Sequence, residues 1–274
     1  MSIGREYQIV IDLFDVLNDI HPPLRDPVLD FLADFYTNEH PHENDFNYFR
    51  KIPDDQVSFM DVGANIGLSA LSMHKCSPNA IGFGFEPNPI LKPALDLTSQ
   101  LCYDYKYKMI GISDNNNFSK LIVPLIDGFA EYGEASFSDT YFQEKHIENR
   151  LKSYSNPGNL TFENVDVKCE TLDQQTDALY VFLDRKFRII KIDVEGYELQ
   201  VLKGAQKLVS ACSPLILIEA GHKPHVLNFL MDINYFPYQI RDDLRVYPLD
   251  INNPTLNTLF INQKNKKYLI DIVE

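Results

Sequence analysis

Residues 57–67, Val-Ser-Phe-Met-Asp-Val-Gly-Ala-Asn-Ile-Gly, constrain the fold more than any other stretch of this chain. Val57, Phe59, Met60 and Val62 form a short apolar run of the kind that fills a strand covered on both faces. Gly63 and Gly67 then let the backbone turn tightly and open a helix whose first N–H groups are free for a ligand. The spacing is Asp-x-Gly-x-Asn-x-Gly, and Asn65 stands where a Gly-x-Gly-x-x-Gly dinucleotide loop needs its second glycine. A nicotinamide dinucleotide is therefore disfavoured.

Two later segments repeat the design. Residues 80–88, Ala-Ile-Gly-Phe-Gly-Phe-Glu-Pro-Asn, are a second apolar strand ending in a carboxylate. At the C-terminal edge of a doubly wound sheet, Glu86 can accept hydrogen bonds from both hydroxyls of a ribose. Residues 187–199, Phe-Arg-Ile-Ile-Lys-Ile-Asp-Val-Glu-Gly-Tyr-Glu-Leu, are a third such strand, again ending in acids. An amphipathic helix should follow, with Tyr197, Val201, Leu202, Ala205, Leu208 and Val209 as its apolar stripe. Glu195 and Glu198 lie at its positive end, with Lys203 and Lys207 towards the other. Asp61 would repel a pyrophosphate but suits a ligand with ammonium and sulfonium charges, which points to S-adenosyl-L-methionine.

With these segments in order, the chain resembles the FkbM-type methyltransferases, a Rossmann-like class that uses S-adenosyl-L-methionine. The resemblance rests on Asp61 to Gly67, Phe85-Glu86-Pro87-Asn88, Ile112-Ser113-Asp114, Thr171-Leu172-Asp173, Ile192 to Glu198, Val201 to Ala205, and Ile216-Leu217-Ile218-Glu219. It covers roughly residues 57–222. It implies an α/β fold, doubly wound, with a mainly parallel seven-stranded sheet, helices on both faces and an antiparallel last strand, a role that Leu256 to Ile261 fits. The expected cofactor-binding set is Asp61, Gly63, Ala64, Asn65, Gly67, Glu86, Pro87, Asn88, Ser113, Asp114 and Asp193. Ser113 and Asp114, at the end of a third strand over Tyr107 to Ile112, should lie near the adenine.

The rest of the chain sets boundaries. Helical spacing at Tyr7, Val10, Ile11, Phe14 and Leu17, and an Asp26-Pro27 helix start, predict a helical N-terminal cap over residues 1–50 ahead of a methyltransferase domain over 51–274. His40 to Asn47 reads as a solvated linker. Lys120 to Leu125 and Leu160 to Cys169 read as strands around a Tyr/Phe/Glu-rich insertion, residues 128–158, which should cover the substrate. Strands are also expected at Pro214 to Glu219 and Tyr235 to Ile240, and helices at Ile90 to Leu101 and Val226 to Ile233. The formal net charge of −14 and pI near 4.9 argue against a nucleic-acid or anionic-membrane partner and for a neutral small molecule or carbohydrate. Cys76, Cys102, Cys169 and Cys212 form no Cys-x-x-Cys pair and read as reduced packing residues. No apolar stretch spans a bilayer and no signal peptide is evident, so a cytoplasmic protein is expected.

Methyl transfer to an alcohol is an in-line displacement that must also remove a proton. Asp193 should face the transferred methyl, with Glu219 and His222 bordering the same crevice, and these three are the catalytic candidates. The three together could also hold a divalent cation, although acids at strand ends are the normal appearance of a cofactor crevice, and no metal ligand is assigned. The resulting expectation is O-methylation of a carbohydrate or related small metabolite. N-methylation and a non-catalytic cofactor-binding partner subunit are the alternatives.

Overall fold

The computed structural model describes residues 40–102, 104–154, 159–266 and 271–273. The expected N-terminal helices fall outside these residues. The described chain begins on a 3-10 helix, Asn44–Lys51, that buries Phe46, Tyr48 and Phe49. The solvated-linker reading of His40 to Asn47 is thereby corrected: aromatic residues three apart anchor this segment to the core despite its polar composition.

The first unit comprises β1 (Val57–Val62), α1 (Leu68–Cys76), β2 (Ile81–Phe85), α2 (Lys92–Leu101) and β3 (Tyr105–Lys108). Next come β4 (Gly111–Ile112), β5 (Asn117–Ile126), β6 (Phe129–Ala130), α3 (Lys145–Tyr154) and β7 (Leu160–Glu170). The chain then returns through α4 (Thr176–Leu183), β8 (Phe187–Ile192), α5 (Glu198–Gly204), α6 (Gln206–Cys212), β9 (Leu215–Glu219) and α7 (Pro224–Asp232). It ends with β10 (Tyr235–Ile240), β11 (Val246–Pro248) and β12 (Asn257–Asn262).

These strands form two sheets. The larger has eight strands in the order β11-β10-β12-β9-β8-β1-β2-β3. From β3 to β9 every pairing is parallel, and β12 runs antiparallel to both β9 and β10. Seven strands match the expected core, with the antiparallel strand one residue later than expected. The eighth, β11, is a short edge strand that adds to the expected count.

Alternation along the strands places a core on each face of this sheet. Met60, Val62, Ile190, Ile192, Ile216 and Ile218 pack on one side with Val201, Leu202, Val209 and Val226 from the helices. Val57, Phe59, Ile189, Leu217, Leu259 and Ile261 pack on the other with Phe46, Phe49 and Met73. Burial on both faces is why the sequence runs are apolar throughout instead of alternating with polar residues.

The segment between the third and fourth core strands departs most from expectation. The predicted strand over Tyr107 to Ile112 is broken after Lys108, and Gly111–Ile112 pairs with β7 in a second, four-stranded sheet ordered β4-β7-β5-β6. Its spine is the β5/β7 ladder from Asn117↔Cys169 to Ile126↔Leu160. The helix expected after β8 is likewise divided at Ala205 into α5 and α6. All four cysteines are free thiols. Among the described residues no helix is long and apolar enough to cross a membrane.

Candidate functional site

A cleft with about 690 Å³ of open space lies between the two sheets. Gly63 and Asn65 from the turn after β1, Glu86 and Pro87 from the end of β2, and Asp193 and Glu195 beyond β8 line one side. Leu121, Ala135 and Phe137 close the other side from the second sheet and the insertion. Five expected cofactor residues, Gly63, Asn65, Glu86, Pro87 and Asp193, thus share one cavity.

Glu86 is fixed rather than flexible. Its Oε2 accepts the Asn65 N–H and its Oε1 the Asn88 N–H, both at 2.8 Å. Burial nevertheless pushes its pKa up to about 7, against the pull of those two hydrogen bonds. Each oxygen keeps a lone pair for a further donor. Asn65 achieves this geometry at a φ of 49°, an accessible left-handed conformation for asparagine. Gly63 has a φ of 86°, and an added Cβ would lie 1.7 Å from the Asp193 carbonyl oxygen. That glycine is required by the close approach of the β1 turn to the end of β8, before any ligand is considered.

The other expected cofactor residues do not line the cleft. Gly67, with a φ of 96°, caps α1, and its Cβ would strike Thr98. Ala64 is buried and donates its N–H to the Phe85 carbonyl at 3.0 Å. Asn88 caps the next turn through the Ile90 N–H at 3.3 Å. Ser113 is buried against Tyr197, hydroxyl to hydroxyl at 3.1 Å, and Asp114 points to solvent. The break after Lys108 explains the last two: the chain has already changed sheets, and Gly111 and Ile112 reach the cleft instead. Asp61 lies beneath the turn, 0% exposed, and neither carboxylate oxygen has a hydrogen-bond partner. Burial holds its pKa well above the usual carboxylate range.

A second group of polar residues continues the face occupied lower down by Phe59, Ile189, Leu217 and Leu259. Lys191 of β8 stands in register with Asp61 on β1, is 0% exposed, and reaches Asp193 Oδ2 at 3.3 Å. Burial alone would depress the lysine, but the charges of Asp193, Glu43, Glu219 and Asp61 raise its pKa. Glu219 closes β9, and burial followed by the charge of Asp193 pushes it up to about 9. Glu43 enters from the segment before β1. Its carboxylate accepts the Asn257 amide at 2.7 Å and lies 3.3 Å from His42 Nε2. Burial would raise Glu43, but the His42 hydrogen bond and the Lys191 charge bring it down to about 2. One oxygen from each of Glu43, Asp193 and Glu219 falls within 4.8 Å of the others.

His222 is not part of this group. It does not line the cleft, its Nδ1 is buried without a partner, and burial and Lys223 lower its pKa. Glu43 is the residue that sequence reasoning missed. Lys191 gave a visible but unused signal, a cation between two isoleucines at the buried end of its strand.

Of the two acids at the start of the helix, Glu198 stabilises the turn by accepting the Gly196 N–H at 2.8 Å. Glu195 has a φ of 47° and receives the Tyr141 hydroxyl, while its carbonyl accepts Ser136 Oγ at 2.6 Å. The Tyr141 oxygen also lies 2.7 Å from Glu134 Oε2, so its single proton is shared between the two acids, and Arg150 bridges to Glu134 at 2.6 Å. Burial and the Asp193 charge lift Glu195 to about 8. The insertion is thus bonded directly to the floor of the cleft.

Comparison with known proteins agrees with this architecture. The family model described as Methyltransferase FkbM domain matches residues 61–239. The Hexuronic acid methyltransferase AglP of Haloferax volcanii is 30% identical over 167 residues, which make up 60% of this chain and 56% of that protein. The alignment therefore spans little more than half of the relative. Among solved structures, a methyltransferase FkbM from Methylobacillus flagellatus KT superposes over 93% of this chain and 59% of its own, with 17% identity and a TM-score of 0.46. An rRNA methylase from Streptococcus thermophilus covers 81% and 96% respectively, with 12% identity and a TM-score of 0.38. On the extent of the family match, which begins at the β1 acid and ends in β10, the chain belongs to the FkbM methyltransferase family.

Proposed function

We propose that the protein is an S-adenosyl-L-methionine-dependent methyltransferase that methylates a hydroxyl of a carbohydrate, with a uronic acid or similar sugar as the first acceptor to test. The observation that carries this reading is the convergence of Glu86, the Gly63–Asn65 turn and Asp193 on one cleft. The relative named for hexuronic acid supports the acceptor class. When bound, S-adenosyl-L-methionine supplies an electrophilic methyl group on a sulfonium.

The chain's own residues account for the remaining requirements. Glu86 accepts the ribose hydroxyls. Asp193 receives the acceptor hydroxyl's proton as oxygen forms its bond to carbon, and Lys191 holds the Asp193 carboxylate in place. The insertion covers the cleft and excludes water. Incubating the protein with labelled cofactor and a panel of hexoses and uronic acids, then mapping the product by NMR, tests the proposal. A methyl ether on a sugar is expected, and N-methylation with no sugar turnover would overturn it.

A further inference from the structure

We propose that Glu43, Asp193 and Glu219 bind one hard divalent cation, Mg²⁺ or Mn²⁺, with Asn257 Oδ1 as a neutral fourth ligand. The three carboxylates come from separate parts of the chain, and their nearest oxygens lie within 4.8 Å of one another. A cation with bonds near 2.1 Å can draw such oxygens together. Lys191 contributes one positive charge to three carboxylates.

Asn257 supplies an independent observation. It is 2% exposed, stands in register with Glu219 across β12 and β9, and donates its amide N–H₂ to Glu43 at 2.7 Å and Asp45 at 2.8 Å. Its Oδ1 is buried and has no partner. A neutral oxygen left unsatisfied among carboxylates is unfavourable in the protein alone but is an ordinary ligand for a hard cation. The Asn257 amide and His42 meanwhile hold Glu43 from outside, as residues behind a metal ligand do. Such a site would leave coordination positions for water or sugar hydroxyls. Cation binding does not depend on which acceptor is methylated, so failure of either proposal leaves the other standing.

Titration of the purified full chain with Mn²⁺ alone, followed by the loss of the free-ion electron paramagnetic resonance signal, tests the site. One saturable Mn²⁺ per chain is expected below about 1 mM. Glu43→Gln, Glu219→Gln and Asn257→Ala should each weaken binding by about 10- to 100-fold or more, with folding checked by circular dichroism. Glu163→Gln, which alters an exposed acid on β7, should leave it unchanged. Absence of saturable binding to the folded wild type overturns the proposal. So does binding that survives in both glutamate variants, or that is lost equally in Glu163→Gln.

Discussion

At the scale of single residues, the proposed mechanism assigns ligand recognition to Glu86 and chemistry to Asp193. Glu86→Ala removes a carboxylate already aligned by two backbone N–H groups, so binding of S-adenosylhomocysteine should weaken by about 1.5 to 3 kcal/mol in calorimetry. The same residue sets a pH dependence. Ribose hydroxyls donate to the ionised form, whereas burial keeps Glu86 partly protonated until the pH passes about 7. Affinity should therefore rise between pH 6 and 8 with release of a proton, and Glu86→Gln should flatten the profile. Asp193→Asn keeps the shape but removes the base, and turnover should fall by about 10²- to 10⁴-fold while cofactor affinity changes much less. Near-normal turnover would dismiss Asp193 as the proton acceptor. Gly63→Val should lower the melting temperature as well as cofactor affinity, because the new side chain meets the Asp193 carbonyl before it meets any ligand.

At the scale of elements, the insertion is part of the cleft and not only a cover for the acceptor. Leu121, Ala135 and Phe137 line the cavity that Glu86 lines, so replacing residues 128–158 with a short loop should reduce cofactor affinity together with turnover. Tyr141→Phe is the milder test. It removes the hydroxyl joining Glu195 to Glu134 while Arg150 still pairs with Glu134, so it should destabilise the fold by about 0.5 to 1.5 kcal/mol and raise the acceptor KM. Wild-type stability and kinetics would show that the network does not hold the insertion. Strands β1, β2, β8 and β9 were legible because each is a local apolar run with a turn signal. Glu43 was not, since its place is set by Phe46 and Phe49 packing on the core, and nothing in its neighbourhood announces an acid beside β8. Ser113 and Asp114 were misplaced for a related reason: strand pattern does not say which sheet a strand joins, and two residues at Gly111–Ile112 decided it.

For the molecule as a whole, acids dominate the response to pH. Glu86, Glu195 and Glu219 are raised in the folded protein to about 7, 8 and 9. The folded chain therefore binds more protons than the unfolded chain between the usual glutamate range, near 4.5, and those values. Stability supplied by these groups is lost as pH rises across that interval. Glu43 acts in the opposite sense, and its contribution is lost as pH falls towards about 2. The ligand-free protein should thus melt at progressively lower temperature from pH 6 to 9. A flat or rising curve would mean that these acids are ionised in the folded state. The order of the sheet has a kinetic consequence too. Central strand β1 is paired on one side with β2 and on the other with β8, a partner about 130 residues further along the chain. During synthesis one edge of β1 must wait until the whole second sheet has left the ribosome, and that sheet can form its own β5/β7 ladder first. Closure of the ligand cleft is then the late docking of two separately formed sheets, and the rate at which newly made protein becomes competent to bind cofactor is the rate of that encounter.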